Sequence, residues 1–254
     1  MKRILSLLPF MLICSIAWGA DLPATVRQVR PSVLAVGTHM VLRGQQDLLR
    51  GTGFVVANGN YAVTNSHVVP REVDERRREQ VAVYLPGKGG RMTMRKARVV
   101  KRDITHDLCL LRFDGAGLRP LRLGRTEDVR EGAQVAFTGY PILNVLRLYP
   151  ATHEGIVSAV ARIAFPPDLA APSDINSLKK LLRPFNAFRL DATAYPGNSG
   201  SPLYEVGSGR VVGVINSVQR GIGKESPIAQ PSGVSYAIPV HYVQKLLRVA
   251  GVKH

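Results

Sequence analysis

Tyr195-Pro196-Gly197-Asn198-Ser199-Gly200-Ser201-Pro202-Leu203 sets a serine between two glycines, in a tight turn between two strand-like runs, Phe188–Thr193 and Arg210–Ser217. A nucleophilic hydroxyl needs such a setting. It must stand clear of its own backbone, and neighbouring N–H groups must converge on one spot where an oxyanion can form. Glycine at 197 and 200 permits backbone conformations and close approaches that a side chain would hinder. The same letters also spell an ordinary Gly/Ser/Pro hairpin turn. The rest of the chain has to decide.

Outward from this turn the chain is a series of short β-rich runs divided by Gly, Pro and Asn. Upstream they are Val33–Thr38, Gly53–Ala57, Tyr61–Thr64, Gln80–Leu85, Ala97–Lys101 and Leu108–Phe113. After Gly132 come Ala133–Thr138, Thr152–Ala161, Phe188–Thr193, Val211–Ser217 and Gly233–Ile238. Many short strands at this spacing, with almost no long helical period, predict an all-β sandwich or pair of barrels. The division falls near Leu123–Arg130, leaving two β units of roughly a hundred residues each. Asp21–Arg30 reads as a short helix stopped by Pro31. Pro239–Val252 reads as a closing amphipathic helix, with Val240, Val243, Leu246, Leu247 and Val249 on one side. Two stretches interrupt the pattern: the charged Arg71–Gln80, and Phe165–Phe185, a proline-bearing insertion with a short helix candidate at Leu178–Arg183.

The first residues stand apart from this fold. Lys2-Arg3 precede an apolar run, Ile4–Ala17, and Ala17-Trp18-Gly19 puts small residues at the two positions that determine cleavage. Residues 1–19 are therefore expected to be a secretory signal peptide, too short in its apolar part for the ~20 residues of a membrane span. The expected organisation is 1–19 signal peptide, 20–128 first β lobe and 129–254 second β lobe with its closing helix. Without the leader one cysteine is left, Cys109, inside the apolar run Leu108–Leu111, so no internal disulfide can form. No Cys/His spacing suits zinc, and neither a metal nor an organic cofactor is expected. A simple leader without disulfides points to a bacterial export route, with the mature chain periplasmic or secreted.

The formal charge is +16, densest in Lys88–Arg102, which holds seven cations and no acid. Such a stretch attracts anions. No aromatic-interleaved motif accompanies it, so specific nucleic-acid binding is not expected. Anionic envelope surfaces and acidic substrates are the candidate partners, beside a merely solvated basic face.

Two upstream motifs bear on the serine. Gly51-Thr52-Gly53-Phe54-Val55-Val56 is followed by Tyr61-Ala62-Val63-Thr64-Asn65-Ser66-His67-Val68-Val69, a strand running into a turn that presents His67. His106-Asp107-Leu108-Cys109-Leu110-Leu111 puts an acid at the mouth of a buried strand. Each alone has an ordinary structural reading. The order His67, Asp107, Ser199 is what joins them: a serine is a weak nucleophile until a base takes its proton, and the base needs an acid to orient it. Asp103 and His106 are rivals for the acid and base roles, ranked lower because Asp107 directly abuts the apolar strand.

TNSHVV, HDLCLLRF and YPGNSGSPL together resemble the motifs of trypsin-like serine proteases, nearest the HtrA/Deg branch. GTGFVV, TGYP (138–141), EGIVSA (154–159), VVGVIN (211–216) and GVSYAIP (233–239) add to the resemblance. It implies two antiparallel β-barrels of the chymotrypsin type, His67 as general base, Asp107 as its orienting acid and Ser199 as nucleophile. The N–H groups of Gly197 and Ser199 would form the oxyanion hole. Thr193 would sit at the floor of the specificity pocket, with Asn216, Ser217 and Gly233 along its walls, favouring small or medium uncharged side chains. Protein or peptide substrates are implied, and relatives are often oligomeric.

Three departures matter. The chain is expected to lack the PDZ modules usual in HtrA proteins. Ser201 stands where the branch usually has glycine. Asn198 replaces the aspartate that receives a new N-terminus in digestive zymogens, so control by loop ordering is expected instead. Two other functions compete with an endopeptidase: a catalytically silent binding module on the protease fold, whose oxyanion loop or cleft is not competent, and an anion-binding envelope protein using the basic stretch.

Overall fold

The computed structural model describes residues 21–40, 46–74, 76, 78–86, 92–141, 149–163, 184–217 and 233–253. The expected signal peptide and the Leu178–Arg183 helix lie outside the described residues. Asp21 begins α1 (Leu22–Val29) by accepting the Ala24 N–H at 3.2 Å, and a 3₁₀ turn, Arg30–Ser32, ends it at Pro31.

Twelve described strands follow, in two groups of six. The first group is β1 (Val33–Met40), β2 (Gln46–Val56), β3 (Tyr61–Asn65), β4 (Glu79–Pro86), β5 (Met92–Asp103) and β6 (Leu108–Phe113). They close an antiparallel barrel in the order β1-β2-β3-β6-β5-β4. The second group is β7 (Gln134–Gly139), β8 (Ala151–Ile163), β9 (Phe185–Asp191), β10 (Pro202–Glu205), β11 (Val211–Asn216) and β12 (Val234–Pro239). They close a second barrel, β10-β11-β12-β9-β8-β7. The closing helix, α2, covers Val240–Val249.

Continuous apolar runs such as Leu108–Leu111 arise because both faces of these strands are buried. In β6, Cys109 and Leu111 fill the first barrel with Leu34, Val36 and Val55, while Leu108 and Leu110 turn to the core between barrels. That shared core also holds Tyr140, Tyr204, Ile238 and the apolar face of α2, Val240, Val243, Leu246 and Leu247. Phe137, Phe188, Leu190, Leu203 and Ile215 fill the second barrel. Burial pushes the Cys109 thiol up to about 12, so it stays neutral and unreactive.

Sequence and structure differ in several places, among them β2 and β5, which begin seven and five residues before the expected Gly53 and Ala97. β10 has no counterpart among the expected strands: it is four residues long, opens on Pro202, and exists because β7 and β11 pair with it on either side. β9 starts three residues before the expected Phe188 and stops at Asp191, which leaves Thr193 in the following loop. Among the described residues the basic stretch is not one solvated face. Of its described cations, Lys96, Arg98 and Lys101 are exposed, but Arg95 donates to the Ala116 carbonyl and Arg102 is bound into a turn described below.

Candidate active site

His67 stands in the turn that leaves β3, and Asp107 in the turn that enters β6. β3 and β6 are neighbours, with Asn65 opposite Leu108, so the ladder itself brings the two turns together. His67 Nδ1 lies 2.6 Å from Asp107 Oδ2, and the His67 N–H donates to Asp107 Oδ1 at 3.0 Å. Both side chains are largely buried, 17% and 13% exposed, so the pair is poorly screened. The Asp107 backbone takes φ +48°, a left-handed conformation that aspartate tolerates better than most residues. Its carbonyl accepts the Ser66 N–H at 3.1 Å and the Asn65 amide at 2.9 Å. A carboxylate held to Nδ1 fixes the imidazole with its Nε2 free to take a proton.

Arg102, one residue of the basic stretch, braces the histidine turn. Its guanidinium donates to the carbonyls of Ser66, Val69 and Pro70 at 2.9, 3.0 and 2.7 Å. Composition marks this residue only as a charge. Its role depends on β5 passing behind the turn.

Asp103 and His106, the rival pair, form a separate clasp with Nδ1 2.7 Å from Oδ2. It closes the turn before Asp107, and the His106 ring stacks on Tyr242 of α2 at 3.9 Å. The pair is thus engaged with the closing helix, not with Ser199.

The serine loop comes from the second barrel but is anchored on the first. Thr52 of β2 donates its N–H to the Ser199 carbonyl at 2.8 Å and its hydroxyl to the Gly197 carbonyl at 2.7 Å. The same hydroxyl accepts the Tyr140 N–H at 2.9 Å. Gly200, at φ +88°, packs so closely that a Cβ would collide with the Thr52 carbonyl and the Thr64 hydroxyl. Gly197 is also left-handed, at φ +96°. With the Gly197 carbonyl committed to Thr52, no acceptor among the described residues takes the N–H groups of Gly197 and Ser199. Two N–H donors left open two residues apart can receive an oxyanion if they point to one spot. Beneath them Asn198 and Ser201 are fully buried, and their side-chain polar atoms find no partner among the described residues.

Ser199 is 4% exposed. Its hydroxyl makes no hydrogen bond to His67; it lies 2.5 Å from the Ser217 hydroxyl and accepts the Ser217 N–H at 3.3 Å. Asn216, expected along the pocket wall, is 2% exposed and donates its amide to Asp107 Oδ2 at 2.8 Å. Its side chain therefore serves the acid. Thr193 is half-buried, in the loop after β9. Gly233, at φ +68°, precedes β12. Ser235, which lies in the GVSYAIP stretch but is not among the expected site residues, ties down the loop after β9 by donating to the Ala192 carbonyl and accepting the Ala194 N–H, both at 2.7 Å.

Residues 51–214 match the family model of the trypsin-like peptidase domain. The chain is 30% identical over 190 residues to a probable periplasmic serine endoprotease, DegP-like, of Pseudomonas fluorescens, an alignment covering 75% of this chain and 32% of that protein. It is 28% identical over 235 residues to the serine protease PepD of Mycobacterium tuberculosis, covering 88% and 46% respectively. It is also 30% identical over 200 residues to mitochondrial serine protease HTRA2 of Drosophila pseudoobscura, covering 79% and 39%. The alignments thus span from about a third to just under half of the length of these curated relatives.

Proposed function

Because the chain belongs to the trypsin-like peptidase family, in its HtrA branch, we propose that it is a serine endopeptidase cleaving peptide bonds through an acyl-enzyme. Ser199 Oγ attacks the scissile carbonyl carbon while His67 Nε2 takes the hydroxyl proton. The resulting oxyanion is held by the N–H groups of Gly197 and Ser199. His67 then passes the proton to the departing amine nitrogen as the C–N bond breaks. Water attacks the ester with His67 again as base, releasing the acid and restoring Ser199. Asp107 keeps Nδ1 protonated and balances the imidazolium.

The observation that carries this reading is the doubly held acid: Asp107 takes the His67 ring and N–H while Asn216 binds the same carboxylate from the other barrel. Labelling with a fluorophosphonate probe tests it. The purified protein should label, and Ser199→Ala should abolish both labelling and peptide hydrolysis, with turnover down by about 10⁶-fold. Labelling that survives the change would place the nucleophile elsewhere.

We infer from the family resemblance that the neutral Thr193 lies at the floor of the specificity pocket with Ser217 and Gly233 along its walls, which suits small or medium uncharged side chains before the cleaved bond. A peptide-library cleavage profile dominated by lysine or arginine would refute this preference. The leader-like residues 1–19 and the periplasmic name of the Pseudomonas relative support action outside the cytoplasm, which cell fractionation checks.

A further inference from the structure

A cleft of about 520 Å³ opens where the connector between the barrels meets α1, α2, the β2–β3 turn and the β10–β11 turn. Its volume lies within the range of about 300–1,000 Å³ common for ligand sites and far exceeds what a single small ion fills. Arg119, Arg122 and Arg210 line it, all three exposed, and no Asp or Glu does. Other arginines reach carboxylates, as Arg27 does with Asp21 and Arg125 with Glu127. These three pair with no carboxylate among the described residues. Three guanidiniums without a carboxylate partner among the described residues, set on a concave wall, focus a positive potential that an anion relieves.

The remaining lining identifies the anion. Pro120, Leu121 and Leu123 supply apolar surface between the cations, and Gln28 and Gln244 add amides. There is no aromatic ring among the lining residues on which a nucleotide base could stack, and free phosphate would leave the apolar part unused. We propose that this cleft is a binding site for an acidic polypeptide segment, whose carboxylates pair with Arg119, Arg122 and Arg210 while its apolar side chains cover Pro120 and Leu123. Guanidinium forks match carboxylates two bonds at a time.

The site spans both barrels. The Leu121 N–H donates to the Val55 carbonyl of the first at 2.9 Å. The Gly124 N–H donates to the Val211 carbonyl of the second at 2.8 Å, and the Val211 N–H to Arg122 at 2.9 Å. An occupant therefore touches both lobes together and stabilises their packing. None of His67, Asp107 or Ser199 lines the cleft, and binding is read directly, so the proposal stands or falls apart from the peptidase reading.

The test uses the full chain and a blocked, fluorescein-labelled peptide of alternating glutamate and leucine, followed by fluorescence anisotropy. The Arg119→Gln/Arg122→Gln/Arg210→Gln variant should bind at least about tenfold more weakly. A charge-matched variant, Lys96→Gln/Arg98→Gln/Lys101→Gln on exposed β5 positions, should bind within about twofold of the parent. Thermal melts establish that each variant is folded, and Arg210→Gln alone, expected to weaken binding severalfold, replaces the triple variant if that one is not. Equal losses in the cleft and β5 variants would overturn the proposal. So would displacement of the peptide by inorganic phosphate at the concentration at which unlabelled peptide displaces it.

Discussion

The hydroxyls of Ser199 and Ser217 lie 2.5 Å apart, and the Ser217 N–H points at the same Ser199 oxygen. The proposed nucleophile is thus tied to the residue following β11, not to His67. If Ser199 donates in this bond, its one proton is withheld from the base. If it accepts, both of its lone pairs are occupied by Ser217. If Ser199 is the nucleophile, either arrangement opposes its attack.

Ser217→Ala should release that restraint. A neutral hydrogen bond is worth about 0.5–1.5 kcal/mol, so the second-order rate of fluorophosphonate labelling should rise by up to about tenfold. A fall in the rate would show that Ser217 assists the attack instead.

Asn216 lends its amide to the Asp107 carboxylate. Asn216→Ala should lower kcat by about ten- to a hundredfold with KM little changed, as for loss of a hydrogen bond to a charged group. Asp107→Asn should cost more, about 10⁴-fold, because His67 then loses the acceptor that fixes its tautomer. If Asn216→Ala raised KM alone, its side chain would belong to substrate binding.

Thr52→Val keeps the shape of the clamp but removes the hydroxyl shared by Gly197 and Tyr140. Two buried groups lose their partner, at about 1–3 kcal/mol each, so Tm should fall by about 5 °C or more. At 25 °C, where the variant remains folded, kcat should still drop, because the Gly197 carbonyl no longer has its anchor. Unchanged kcat with a lowered Tm would confine Thr52 to stability.

Asp103 sets an acid limit on folding. Burial alone would raise its pKa, but the hydrogen bond and charge of His106 outweigh it and hold the carboxyl below its ordinary value. The unfolded chain then binds a proton more readily than the native one, so stability rises with pH across this interval. The contribution is fully present above the unfolded value of about 3.9 and is lost as pH falls through the depressed native one. Asp103→Asn should unfold more easily at pH 7 and show a flatter loss of denaturation midpoint between pH 5 and 2. An unchanged acid slope would remove Asp103 from the account.

Local pattern carried much of this molecule. Periodicity and turn residues marked eleven of the twelve described strands, both terminal helices and the turns bearing His67, Asp107 and Ser199, because each of those signals lies within a few consecutive residues. What folding alone decided are contacts between residues far apart along the chain. β10 is a strand only because β7 and β11 flank it. Thr52 reaches Gly197 across 145 positions and Asn216 reaches Asp107 across 109. Arg102 belongs to the histidine turn although its neighbours in sequence made it look like one more surface cation. Closing two barrels against each other sets these distances, and a hydrogen bond depends on distance and direction that no linear spacing encodes.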